Sequence, residues 1–148
     1  MSYKVITIPG EHTMREGRPQ VMFSGDGDSS IKVTIGYHAS QVGEPFLYGE
    51  IEFPDVYEFR FIREDFGYEG HPQHIGGYKL GLIEIENSDY VEEMAAKGDL
   101  GHLAENRFGD HIPESSVRHY RMIFDHCGRF DVIGQTAIVR AITERPTV

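Results

Sequence analysis

Paired carboxylates are prominent in this 148-residue chain. Glu50 and Glu52 alternate with Ile51 and Phe53, and Glu84 and Glu86 alternate with Ile83 and Ile85. On a strand, residues two apart share a face, so each pair presents two acids together. If both strands belong to one sheet, the four acids form a ridge with Glu58 near it. Such a ridge would pair with Lys or Arg of a partner. It would also suit a hard metal ion or, given enough burial to perturb a pKa, acid–base catalysis. A sheet with one solvated face produces the same alternation without any function.

Other candidate motifs are weaker. His71 and His74 lie three apart in GHPQHIGG and could contact one ion if the loop curls, with His102, His111 or a carboxylate completing the set. No HExxH helix accompanies them. His119 and His126 are seven apart, a spacing that does not require convergence, and the plain expectation is an exposed or hydrogen-bonded histidine. Asp26-Gly27-Asp28 resembles the opening of a calcium loop, but Ile31 and Tyr37 occupy the positions that need Gly and Glu. Gly25-x-Gly27 lacks the third glycine and the helix of a dinucleotide site. Neither a P-loop nor a G-x-S-x-G elbow occurs. Cys127 is a candidate nucleophile beside His126 or His119, though an incidental turn cysteine reads as well. No cofactor is expected.

Charge sharpens the picture. The formal net charge is −10, and residues 44–110 hold 16 acidic and 5 basic residues. That segment repels phosphate backbones, so nucleic acid is disfavoured as a partner. A basic protein would be attracted and its encounter accelerated. A single cysteine excludes an internal disulfide framework. The apolar runs are too short for a membrane span. The opening MSYKVITIPGEH has no basic region followed by a long apolar stretch, so the expected location is cytoplasmic.

The elements that must carry these residues are mostly strands. Short apolar or β-branched runs alternate with Gly- and Pro-containing breaks, with strands expected at 3–8, 20–24, 31–37, within 46–62, at 78–86, 117–124, 129–134 and 135–142. Tyr57, Phe59 and Phe61 alternate with Glu58 and Arg60, which places the aromatics on one face. Pro54-Asp55 marks a turn, edge or bulge. Residues 63–77 read as a polar, Gly-rich loop and 143–148 as a frayed tail. Residues 88–97 read as a helix, with Ser88 as N-cap, Gly98 as its stop and Val91, Met94 and Ala95 as the packing stripe. A shorter helical piece is expected at 99–106.

The C-terminal hairpin is the best specified. Gly128 can close a three-residue turn, which pairs Asp125 with Arg129 and sets Phe124 across from Phe130 and Met122 across from Val132. Tyr120 joins that apolar face, and His119, Arg121 and Asp131 fall on the other.

The expected fold is α+β, predominantly antiparallel β, a sandwich or curled barrel-like sheet over residues 1–148 with one main helix around residues 88–97. The leading functional expectation is a non-catalytic protein-binding module of inhibitor or immunity type, using Glu50, Glu52, Glu58, Glu84 and Glu86 against a basic partner. The alternative is a small-molecule-binding or enzymatic β-barrel whose interior is lined by Tyr37, Tyr48, Tyr57, Tyr78 and Tyr120.

Overall fold

The computed structural model describes residues 2–9, 19–25, 31–38, 48–63, 81–97, 116–124 and 128–142. Within them the chain is mostly antiparallel strand with a single helix. The strands are β1 (Ser2–Ile6), β2 (Gln20–Gly25), β3 (Ile31–His38), β4 (Tyr48–Phe53), β5 (Val56–Arg63), β6 (Gly81–Glu86), β7 (Arg118–Phe124), β8 (Gly128–Gly134) and β9 (Ile138–Ile142), and the helix α1 is Asp89–Ala96. They form a five-stranded sheet, β1-β6-β7-β8-β5, and a four-stranded sheet, β2-β3-β4-β9. No closed barrel results. β1 stops at Ile6 rather than residue 8, and β6 is described from Gly81, residues 78–80 of the expected strand lying outside the described residues. The expected loops at 25–30 (beyond Gly25) and 63–77 (beyond Arg63), the second helical piece and the tail lie outside the described residues, as do His71, His74 and Cys127.

The core sits between the sheets. Val33, Ile35 and Tyr37 of β3 and Ile51 and Phe53 of β4 meet Leu82 of β6, Tyr120, Met122 and Phe124 of β7 and Phe130 and Val132 of β8. Period two in each strand creates this layer, because alternate side chains turn inward together. A second, smaller cluster lies on the outer side of the five-stranded sheet. There Val91 and Met94 of α1 pack with Val117 and Ile133, flanked by Tyr57, Tyr90 and Ala95.

Proline at 54 removes a ladder donor where the chain leaves β4 of one sheet and enters β5 of the other. The register of β5 against β8 then shifts between Val56 and Glu58, which is a β-bulge. The bulge corrects one expectation. Tyr57 does not share a face with Phe59 and Phe61; it packs towards the helix, whereas Phe59 packs into the inter-sheet core.

The C-terminal hairpin has the expected faces but a different register. Phe124 pairs with Gly128, Met122 with Phe130 and Tyr120 with Val132, two residues away from the expected pairing. An even shift preserves the faces. The Phe124 and Phe130 rings still meet, edge to face, with centroids 5.7 Å apart. The reason for the shift lies in β5. Gly128 pairs with Arg63 as well as Phe124, at φ 147°, and a side chain there would strike the Ile62 carbonyl and the Phe61 ring. The glycine serves the close approach of three strands, so it belongs to the ladder and not to the turn.

Two outcomes are expected in urea unfolding. Phe124→Ala should cost about 3–5 kcal/mol, the usual range for removing a buried Phe. Gly49→Ala should cost about 1–3 kcal/mol, because its Cβ would land on the ring of Tyr37, its cross-strand partner. That ring cannot step aside cheaply, since it is buried and its hydroxyl donates to the Pro9 carbonyl at 2.8 Å. A Tyr37→Leu background should therefore remove most of the Gly49→Ala penalty.

Candidate functional site

At the end of the five-stranded sheet, where β6 turns into α1 and β7 begins, lies an open cleft of about 580 Å³. Its lining includes Glu84, Glu86, Ser88, Glu92, Arg118 and His119. Asn87 makes the turn from strand to helix with φ 51°, a left-handed conformation that Asn tolerates better than most residues. Ser88 follows in extended conformation and caps the helix, its Oγ accepting the Val91 N–H at 3.3 Å.

A line of hydrogen bonds runs inward from this serine. Ser88 Oγ lies 2.8 Å from His119 Nδ1, and His119 Nε2 lies 2.9 Å from Asp131 Oδ1. All three residues are buried, with His119 5% exposed. Asp131 also accepts from Arg121 Nε at 2.8 Å and Arg129 Nε at 3.0 Å. An ionised carboxylate can only accept, so His119 must give it Nε2–H. Nδ1 is then the atom that faces the serine hydroxyl. Tyr90 of α1 lies over the imidazole, with ring centroids 6.0 Å apart. The Tyr90 hydroxyl donates to Glu58 and accepts from Arg60 at 2.6 Å, and the Arg60 guanidinium sits 4.6 Å from the Tyr90 centroid. Burial, and then the Glu58 carboxylate, push the Tyr90 hydroxyl above its ordinary pKa.

Burial alone would raise the Asp131 pKa. The hydrogen bonds from His119 and Arg121, and the charges of Arg121 and Arg129, outweigh it and lower the carboxyl from 3.8 to about 2. Asp131 is therefore anionic wherever the protein is folded in ordinary buffers.

The structure distributes the acidic residues differently from a single ridge. Glu50 and Glu52 lie on β4 of the four-stranded sheet, and Glu84 and Glu86 on β6 of the five-stranded one. Glu58 is on β5, the far edge of that second sheet. Arg140 bridges Glu50 and Glu52 at 3.2 and 3.3 Å, and Lys32 adds a second cation to Glu52. Arg118 pairs with Glu84 at 3.3 Å, and Ser2 Oγ donates to Glu86. Glu84 and Glu86 remain together at the cleft, where Glu92 joins them from the helix.

The four described tyrosines of the expected interior site are held by separate contacts. Tyr37 is tied to Pro9, and Tyr57 accepts from Gln135 at 2.9 Å. Tyr120 is buried in the inter-sheet core, where burial first and Glu84 second push its pKa to about 12. Tyr48 pairs by edge contact with His38, and Tyr78 is outside the described residues. The buried side chains clustered between the sheets are mostly apolar.

Sequence reasoning placed Ser88 only as a cap and His119 only as an exposed or hydrogen-bonded histidine. The available signal was that His119, Arg121 and Asp131 fall on one hairpin face. The link from that face to Ser88 spans 31 residues and leaves no local pattern. Among the described residues no helix is long and apolar enough to cross a membrane, and none of their His, Cys, Asp and Glu form a group suited to a metal ion. No protein-family model matches the chain, and the searches of curated proteins and of solved structures return no significant similarity.

Two stability outcomes follow from the network. His119→Ala leaves a buried carboxylate and a buried hydroxyl each short of a partner, so it should cost about 1–3 kcal/mol and not the negligible amount expected of an exposed histidine. Asp131 has a folded pKa below its unfolded one, so its contribution is present above pH 3.8 and is lost as the pH falls towards about 2. That contribution is on the order of 2 kcal/mol. The gap in melting temperature between wild type and Asp131→Asn should accordingly narrow across that window.

Proposed function

We propose that this protein binds a basic protein partner by taking its Lys or Arg side chains into the cleft between β6, α1 and the start of β7. The observation that carries this reading is the charge around the cleft. Glu84, Glu86 and Glu92 line it together with Arg118, which pairs with Glu84, so among the described lining residues three carboxylates stand against one guanidinium. Glu92 is fully on the exposed side of α1 and Glu86 is exposed at the strand end. Both are exposed to solvent, the setting in which a rim charge steers an incoming cation. The chain's excess negative charge acts in the same direction over longer distances.

Glu50, Glu52 and Glu58 have a smaller part in this reading. Their carboxylates already share Arg140, Lys32 and Arg60 within the sheets. A partner would have to displace those intramolecular contacts for little gain.

The test is titration with a short arginine-rich peptide, followed by fluorescence anisotropy at low and high salt. Wild type should bind, and added salt should weaken the complex as screening grows. Glu86→Gln combined with Glu92→Gln should weaken it about tenfold, equal to about 1.4 kcal/mol. Glu50→Gln, in the other sheet, should leave it unchanged. Equal losses from the two sets of variants would mean that general acidity and not the cleft attracts the peptide.

A further inference from the structure

We propose that Ser88 is a nucleophile and that the cleft carries an acyl-transfer activity towards carboxylic esters. This inference shares the cleft with the binding reading but does not depend on its acidic rim, except for the charge preference considered below.

Three observations bear on it together. Ser88 lines the cleft, at the sharp turn from β6 into α1. Its hydroxyl is 2.8 Å from the only ring nitrogen of His119 that is free to accept a proton. Behind the imidazole, Asp131 holds Nε2–H at 2.9 Å and is itself fixed by Arg121 and Arg129. Nucleophile, base and orienting carboxylate are thus in hydrogen-bond sequence, the relation by which such sites are recognised irrespective of fold or chain order. The ring nitrogens are exchanged relative to serine proteases, with Nδ1 towards the serine. The geometry that matters, base to hydroxyl and base to carboxylate, is retained.

The position at a helix start adds a further element. The N–H groups of Asp89 and Tyr90 belong to the first turn of α1, where no intrahelical carbonyl is available to them. They are backbone donors available to a developing oxyanion at the helix start. The Val91 N–H, already 3.3 Å from Ser88 Oγ, would stabilise the oxygen as it loses its proton. Asp131 acts as a positioning residue, because it touches His119 and not the reacting atoms.

The reaction balances as follows. Ser88 Oγ bonds to the ester carbonyl carbon as its proton passes to His119 Nδ1. The tetrahedral oxyanion collapses, the bond from carbon to the alkoxy oxygen breaks, and His119 returns the proton to that leaving alcohol. Water then attacks the acyl-serine through the same nitrogen, releasing the carboxylic acid and restoring Ser88. With Glu86 and Glu92 at the rim, esters bearing a cationic group are the favoured substrate class.

The decisive experiment uses diisopropyl fluorophosphate, a small neutral probe that the acidic rim neither attracts nor repels. Ser88 Oγ should displace fluoride at phosphorus, giving one adduct by intact mass, mapped to Ser88 in preference to the other serines of the chain. Ser88→Ala should abolish that adduct. Ser88→Asn, which preserves a capping side chain, should also abolish it and guards against loss of the helix cap. His119→Gln should slow labelling roughly a hundredfold, the lower end of general-base contributions. Folding of each variant is checked by circular dichroism, and if His119→Gln does not fold, the wild-type selectivity for Ser88 decides alone. Unlabelled wild type, labelling spread over several serines, or labelling of Ser88 at a rate indifferent to His119→Gln in a folded variant would each overturn the proposal. Labelling of Ser88 in a wild type that does not bind the arginine-rich peptide would sink the binding reading and leave the nucleophile standing.

Discussion

A carboxylate buried beneath a helix needs donors, and the demands of Asp131 organise this molecule. Three side chains supply those donors: His119 and Arg121 from β7 and Arg129 from β8 itself. Burying such a charge without partners would cost several kcal/mol, so its two strands must present those partners together. Arg121 pairs with Asp131 across the ladder, which sets the hairpin register on this face. Because side chains alternate, the same register sends Tyr120, Met122, Phe124, Phe130 and Val132 to the opposite face and into the inter-sheet core. His119 then passes the constraint to the helix through Ser88, the residue that caps it. One anion thereby fixes the relation between sheet, core and helix.

The second constraint is steric. β5 crosses from the four-stranded sheet at Pro54-Asp55 and must lie close against β8 at its far end. Only a residue without a side chain fits at 128, where the Ile62 carbonyl and the Phe61 ring approach. The bulge at the start of β5 swings Tyr57 towards α1 and returns Phe59 to the core. The bulge also leaves Glu58 on the helix side, within reach of Tyr90. Charge on the outer face and packing on the inner one are thus settled by the same few positions.

Much of this was legible in the residues because it depends on local periodicity. Alternation in β3, β4, β7 and β8 marks the inward residues, and Ser88, Val91 and Met94 mark a capped helix with one apolar side. The parity of the C-terminal hairpin was legible too, since an apolar face opposite His119, Arg121 and Asp131 allows only even shifts. Its register was not, because Gly128 has two plausible uses and the choice depends on β5, more than 60 residues earlier in the chain. The grouping of acids was equally hidden. Glu50 and Glu84 have the same local pattern, and nothing local says that their strands enter different sheets. The line from Ser88 to Asp131 joins a cap, a strand and a hairpin partner, three features that each have a sufficient local explanation.

The acidic rim and the buried line meet at one cleft, and the nucleophile reading of it depends on which nitrogen of His119 carries a proton. Long-range proton–nitrogen correlation of histidine-labelled protein reads that directly. The expected result is a protonated Nε2 on His119, its proton slow to exchange and lost in Asp131→Asn, with Nδ1 left to face Ser88 in the neutral ring. An Nε2 without a proton would contradict the arrangement, because Asp131 would then face a second acceptor and the constraint from hairpin to helix would not exist.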